Sequence, residues 1–575
     1  MTVDVAIVGG GPAGSTCATL IKKYRPDLSV LVLEREVFPR DHVGESQLPA
    51  VSTILDEMGV WEKVEAAGFP IKIGATYRWG RTDELWDFEF VPGSQYNKFP
   101  RPSKFEGQRR LLAFQVDRSV YDKILLDHAA ELGAEVREGT KVQRVNREGD
   151  RITSLSLEGG VDVVAKHYVD ASGNVGLIRR AMDVGVNSPT HLRNIAIWDY
   201  WQNADWAIDF GEGGTRIQVM SLGYGWIWFI PISTTRTSVG FVISAERFKE
   251  LGKKPVDVYL DAIAAEPNIS RWLQHAVRED KLASTKDWSY VADRVVGENW
   301  MLAGESSGFA DPILSAGMTL AHTGAREAAY TIMELERGEH DPVWLKERFD
   351  DMQRVRLQSH IKFADFWYLG NGRFTDLRDN TSNIAREVGL ELNPEDAFRW
   401  LSTGGFASET YQVAEIGTWD VTAVKLLTQW FAGKEATWTI AQNNVFDLDL
   451  TGTESVFVPV MEHGKIDKVK AWRRNGKVLP YHGDFLPVVR FLRQSSLAEE
   501  FVPFLQRFFA ERGYDFRKYM PRMLQTLEAM VTEGWVKASF DPAKPTMPVR
   551  TPEQTDLMHF NRDNTPLEEL SQAVA

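Results

Sequence analysis

A continuous apolar run, Val5-Ala6-Ile7-Val8, leads directly into Gly9-Gly10-Gly11-Pro12-Ala13-Gly14, and few folds accommodate that order. The run suits a buried parallel strand. Gly9, Gly11 and Gly14 spell GxGxxG: the first permits a tight turn, the second lets backbone approach a pyrophosphate, and the third lets the next helix lie close to the sheet. Pro12 and Ala13 suit the first turn of that helix, whose positive amino-terminal end would face phosphate. A second apolar run, Val30-Leu31-Val32-Leu33, ends in Glu34, twenty residues beyond Gly14, where a carboxylate accepts the ribose hydroxyls of an adenosine. The opening residues therefore predict a dinucleotide-binding α/β layer.

Size and charge narrow the partners. A chain of 575 residues exceeds one hydrophobic core and implies roughly two to four domains. Its 66 basic and 80 acidic side chains leave a formal net charge of −14, which argues against nucleic acid or an anionic membrane as the main partner and for a small molecule or carrier. The single cysteine, Cys17, excludes an internal disulfide and any multi-cysteine metal site, in keeping with a reducing cytoplasm, and no metal is expected. The start, Met1-Thr2-Val3-Asp4, lacks the basic and apolar regions of a secretory signal, and no run of about 20 apolar residues predicts a membrane span. A cytoplasmic location is expected.

The segment Gly225-Trp226-Ile227-Trp228-Phe229-Ile230-Pro231 sets two indoles two residues apart. In a strand they share a face and form one aromatic wall, which must be buried or turned to a ligand. Pro231 cannot donate a ladder hydrogen bond and marks the strand's end.

The stretch Arg35-Glu-Val-Phe-Pro-Arg-Asp-His-Val-Gly-Glu-Ser46, with Val116-Asp117-Arg118, Val169-Asp170-Ala171-Ser172-Gly173 and Gly304-Glu305, resembles the FAD-dependent para-hydroxybenzoate hydroxylase superfamily. The resemblance implies FAD rather than NAD, with Arg35, Arg40, Gly44, Glu45, Ser46, Arg118, Gly304 and Glu305 as cofactor-binding residues beside the Gly9–Gly14 turn and Glu34. Gly304-Glu305 departs from that superfamily's usual Gly-Asp.

Within the superfamily, Trp226 to Pro231 matches the WxWxIP motif of flavin-dependent halogenases. Phe309, Pro312, Ser315 and Gly317 match their FxxPxxSxG motif. The resemblance covers about residues 1 to 370 and looks closest to the branch of the chloramphenicol-pathway halogenase; the last 200 residues resemble it loosely. It implies FADH2 delivered by a separate NAD(P)H-dependent flavin reductase, with oxygen and chloride or bromide giving hypohalous acid. The position matching the family's lysine is Lys72, which would hold that oxidant and present electrophilic halogen to substrate, gaining rate through orientation. Trp226 and Trp228 would separate flavin from substrate.

Ser315, Ala316 and Gly317 begin a helix, and its backbone N–H groups form a natural anion site, here assigned to halide, with Pro312, Gly317 and Met318 toward the flavin. The tryptophan-halogenase branch carries a Glu where this chain has Leu314, which argues against free tryptophan and for an activated phenol, pyrrole or enolisable acyl group, of the kind that related enzymes often receive tethered to a carrier protein. Asp287 is positioned to approach the flavin edge, though a solvated or ion-paired role is the simpler expectation, and His322 reads as an ordinary helix residue. In Phe69 to Arg78 the alternation puts Lys72 on a polar strand face with Gly74, Thr76 and Arg78, a pattern that equally describes a solvated lysine.

The expected architecture is α/β. A discontinuous FAD-binding Rossmann-like domain (residues 1–72, 105–185 and 285–335) carries an inserted β-sheet substrate domain (73–104 and 186–284). A mostly α-helical C-terminal domain (345–575) follows, with a winged-helix-like segment near 500–545 that caps the substrate tunnel or docks a carrier. Phe363, Phe366, Trp367 and Tyr368 are expected to pack the tail onto the core, Asn371 to Asn393 to form a hinge or loop, and the residues after Pro552 to be mobile. A flavin monooxygenase or isoprenoid-type reductase, and a catalytically silent FAD-fold assembly partner, are the alternative functions; the former tolerates loss of Lys72 and needs no halide.

Overall fold

Strands Thr2–Val8 and Val30–Leu33 pair in parallel with Val5 opposite Val30, and the first also pairs in parallel with Asp162–Asp170. Their apolar residues are buried on both faces, as a parallel sheet covered by helices requires. In the computed structural model, residues 1–79, 85–91, 96, 101–188, 193–286, 289–369, 438–475, 477–547 and 558–561 are described. Among them, this sheet has seven strands; Trp300–Leu302 joins beside Asp162–Asp170 and delivers the chain to Gly304. Helices Pro12–Tyr24, Arg118–Glu131 and Ala316–Arg337 cover the sheet, and His322 ties them together. Its Nδ1 and Nε2 lie 2.8 Å from Thr16 Oγ1 and 2.9 Å from Tyr121 Oη. Burial pushes its pKa down to about 3, so it is a neutral structural residue.

A second sheet, of ten strands among the described residues, runs through Asn194–Gln202, Arg236–Ser244, Gly225–Pro231, Gly214–Leu222, Ile71–Arg78 and Leu85–Glu89. One face carries an apolar core in which Ile227, Phe229, Val239 and Phe241 meet Val258, Tyr259, Ala262 and Trp272. On that side Arg216 is buried against Asp87 (2.6 Å) and Glu89 (3.1 Å), while Thr76 donates to Asp87 at 2.6 Å.

The chain divides into two compact units, one comprising Met1–Arg373, His463–Lys465 and Leu557–Ala575, the other Phe374–Glu462 and Ile466–Asp556. Helix Pro342–Leu369, assigned from sequence to the C-terminal domain, thus belongs to the first unit: Leu357 and Ile361 pack with Val291, Ala310, Ala316 and Leu320. The second unit contains helices Phe485–Leu492, Ala498–Ala510 and Phe516–Thr532. The last ends at Gly534, in the left-handed region at φ 78°, before strand Val536–Ser539 pairs with Val445–Leu448. That helix-to-strand order is the one read from the sequence; the three-stranded sheet of Glu454–Glu462, Lys465–Arg474 and Lys477–Pro480 was not anticipated. Met558–Asn561, in the segment expected to be mobile, forms a strand on Leu85–Glu89. Asp287, the hinge at 371–393 and the side chains of Phe363, Phe366 and Trp367 lie outside the described residues. Among the described residues no helix is long and apolar enough to cross a membrane.

Candidate active site

The glycine turn is built by close approach. A Cβ on Gly14 would lie 1.9 Å from the Gly9 carbonyl oxygen, and one on Gly9, at φ 107°, would lie 2.3 Å from that of Ala171. At Gly11 the nearest atom is Arg40 Nη2 at 3.5 Å, so backbone there is open to a ligand. Glu34, expected to accept the ribose hydroxyls of an adenosine, accepts from Gly10 N at 2.7 Å and Glu36 N at 2.9 Å, so its carboxylate fastens the glycine turn. Asp170 fastens the adjacent turn through Ser172 N and Ile178 N, at 3.1 and 2.8 Å.

Arg118 forms a bidentate pair with Asp122 (2.6 and 2.9 Å) and donates to the carbonyls of Val43 and Gly44, fixing the loop that carries Glu45 and Ser46. Arg40 joins it 3.6 Å from Asp122. Glu45 is buried and accepts from Tyr200 Oη and Gly44 N, both at 3.0 Å; burial raises its pKa to about 7. Glu305 is half-buried and drawn upward in pKa by desolvation, with Gly304 in the left-handed region at φ 66° beside Ala13. Arg35 does not join them. Its side chain is 59% exposed on Glu36, because the chain turns outward after Glu34.

The pattern-based face assignment for Lys72 is corrected by a β-bulge. Strand Ile71–Arg78 pairs in parallel with Gly214–Leu222, Lys72 opposite Thr215 but Gly74 opposite Arg216, so Ile73 is extra. Residues opposite one another share a face, and Val219 and Ser221 stand opposite Trp228 and Trp226. Thr215, two and four residues before Ile217 and Val219, lies on that same face, so the bulge brings Lys72 to the tryptophan side and leaves Gly74, Thr76 and Arg78 on the other. There Lys72 is fully buried and donates to Ser315 Oγ at 3.2 Å, with the Phe90 ring 5.8 Å from its nitrogen. Burial lowers its pKa from 10.5 to about 7, so near neutrality it is readily deprotonated.

Ser315 adopts the left-handed conformation (φ 56°) ahead of helix Ala316–Arg337. Its hydroxyl does not cap the helix but accepts from Lys72, leaving the first-turn N–H groups of Ala316, Gly317 and Met318 without a side-chain cap. A Cβ on Gly317 would meet the Phe309 ring at 2.9 Å, which explains why Phe309 and Gly317 occur together in one motif. The indoles of Trp226 and Trp228 sit with centroids 5.9 Å apart. Trp228 donates to Ser238 Oγ at 3.1 Å and lies over Gly240, where a Cβ would be 2.1 Å from the ring. Trp226 donates to Tyr368 Oη at 2.8 Å.

Sequence reasoning missed Asp311, Tyr368 and Tyr200 as site residues. Asp311 lies inside the FxxPxxSxG match at an unspecified position, and Tyr368 read only as packing.

The residues fit an FAD. Backbone is open at Gly11, the adjoining turns are held by Glu34 and Asp170, and among the described residues Ser46 Oγ and the side-chain polar atoms of Gln115, on backbone-bridged neighbours, are buried without a protein partner.

The family model for tryptophan halogenase matches residues 4–110 and 93–376. The tryptophan 2-halogenase of Chondromyces crocatus is 34% identical over 348 residues, covering 59% of this chain and 63%, under two thirds, of that protein. The 1H-pyrrole-2-carbonyl-(peptidyl-carrier protein) chlorinase of Pseudomonas fluorescens is 32% identical over 392 residues, 65% of this chain and 85% of that one. The crystal structure of the flavin-dependent halogenase CmlS, 22% identical, has a TM-score of 0.67 and covers 96% of this chain and 98% of that one, a likeness of fold.

Proposed function

The chain belongs to the tryptophan halogenase family, and from that premise we propose that it is a flavin-dependent halogenase in which Lys72 relays oxidised halogen from an FAD site to an organic substrate. The observation that carries this is the buried Lys72 ammonium on Ser315 Oγ, on the same sheet face as Trp226 and Trp228.

FAD would be held by the Gly9–Gly14 turn, Glu34, Arg40, the Gly44–Ser46 loop with Arg118, and Gly304-Glu305. Reduced FAD supplies the electrons with which oxygen and halide give hypohalous acid. The chain's own residues do the rest. The uncapped N–H groups of Ala316 and Gly317, with Ser315, concentrate halide at a helix start. The two indoles deny substrate direct access to the flavin side. Lys72 Nζ, with its pKa near 7, holds hypohalous acid by a hydrogen bond or as a haloamine and orients the electrophile.

The substrate class is an activated phenol, pyrrole or enolisable acyl group. The carrier-protein substrate in the Pseudomonas relative's name supports a tethered form, and Leu314 weighs against free tryptophan even though the Chondromyces relative is a tryptophan halogenase. A separate NAD(P)H-dependent reductase supplies FADH2. The test is incubation with FAD, a flavin reductase, NAD(P)H, oxygen and chloride or bromide against free and carrier-bound phenols and pyrroles. The expected product carries the halogen isotope pattern; an oxygenated product formed equally without halide would overturn the proposal.

A further inference from the structure

Asp311 is buried in the loop between strand Gly308–Phe309 and the 3-10 turn Pro312–Leu314 that delivers Ser315. Its Oδ1 accepts from Ile313 N at 2.9 Å, inside that turn, and from Tyr368 Oη at 3.1 Å, on helix Pro342–Leu369. The tyrosine hydroxyl has one proton, and Asp311 takes it. Its lone pairs then receive Trp226 Nε1 at 2.8 Å and Asn194 Nδ2 at 3.4 Å. The hydrogen bonds thus run one way, from indole to phenol to carboxylate. The Trp79 ring stands edge-on to both Trp226 and Tyr368, with centroids 6.4 and 5.8 Å away, and holds the pair from the side. One carboxylate oxygen, Asp311 Oδ1, therefore terminates two structures, the turn before the helix start and the aromatic wall.

We infer that Asp311 is a positioning residue that keeps the halide turn and the indole wall in register, the first through Ile313 N–H and the second through Tyr368. The inference rests on the halogenase reading for what the turn and wall do, but the linkage itself is testable without it. Burial lifts the Asp311 carboxyl to about 7, against the hydrogen bonds from Ile313 N–H and Tyr368 that favour its charged form.

Three variants separate the two arms. Tyr368→Phe cuts only the arm to the wall: the Michaelis constant for halide stays within about twofold of wild type, while halogenated product per FADH2 consumed falls several-fold and unincorporated hypohalous acid or peroxide rises. Asp311→Ala cuts both, so the halide constant also rises about tenfold, the scale of one hydrogen bond to a charged acceptor. Asp311→Asn retains an acceptor oxygen and restores the halide constant. In the cofactor-free protein, hydrogen exchange across residues 311–318 accelerates in Asp311→Ala and not in Tyr368→Phe. Equal exchange in those two variants, or a Tyr368→Phe enzyme as tightly coupled as wild type, overturns the inference; Tyr368→Phe and Asp311→Asn decide it if Asp311→Ala does not fold. Wild-type protein that makes no halogenated product at all overturns the halogenase reading instead, and the exchange comparison still judges the linkage.

Discussion

Replacing Lys72 with methionine keeps a side chain of similar length and removes a buried ammonium, and the consequence for stability has a sign fixed by where that ammonium sits. Burial lowers the folded-state pKa from 10.5 to about 7. Above about 10.5 neither state carries the proton. Between 7 and 10.5 the unfolded chain binds a proton that the folded chain does not, so wild-type stability rises with pH across that window; below 7 both states are protonated and the deficit is constant. At about 1.36 kcal/mol for each tenfold, the interval amounts to on the order of 5 kcal/mol. Urea unfolding of wild type and Lys72→Met at several pH values from 6.5 to 9.5 measures it. The methionine protein is expected to be the more stable at low pH, with the difference shrinking by at least about 2 kcal/mol toward pH 9.5. A difference that does not change with pH would mean Lys72 is solvated, and the buried-lysine argument would fall with it.

The remaining predictions test other contacts. Glu34→Ala frees Gly10 N and Glu36 N, and FAD affinity should fall about 10- to 100-fold in a flavin-fluorescence titration. Gly240→Ala brings a Cβ to 2.1 Å from the Trp228 ring; the protein should lose about 1–3 kcal/mol in denaturant unfolding, with part of the loss restored by pairing the change with Trp228→Phe. Arg216→Ala removes the buried cation that Asp87 and Glu89 share and should cost about 3–5 kcal/mol by the same method.

The dinucleotide turn was legible because its constraints are local. Val30–Leu33 emerges with the expected bounds, and the glycines at 9 and 14 stand where any side chain would collide with backbone. Lys72 was legible by resemblance but not by pattern. Alternation within its own strand assigns it to the Gly74 face, whereas its true face depends on an extra residue defined only by pairing with the Gly214–Leu222 strand. Arg35 was assigned to the cofactor by resemblance alone, and its exposed position on Glu36 could not be read from the sequence, because no periodicity distinguishes a loop residue that folds inward from one that folds out. Met558–Asn561 was missed for a related reason: it is short, and its partner is an edge strand far away in the sequence. Asp311 and Tyr368 carry no motif signature of their own, and their significance comes from a hydrogen-bonded chain through three separate elements.

The relay through Lys72 is tested most directly by mass spectrometry of the reaction catalysed by Lys72→Met and by wild type, each with FADH2, oxygen and bromide and an activated phenol or pyrrole accepted by wild type. The account predicts that the variant still binds FAD and consumes FADH2 and oxygen but gives no brominated product beyond the level seen with free hypobromous acid. Wild-type yield and positional selectivity in the variant would contradict it.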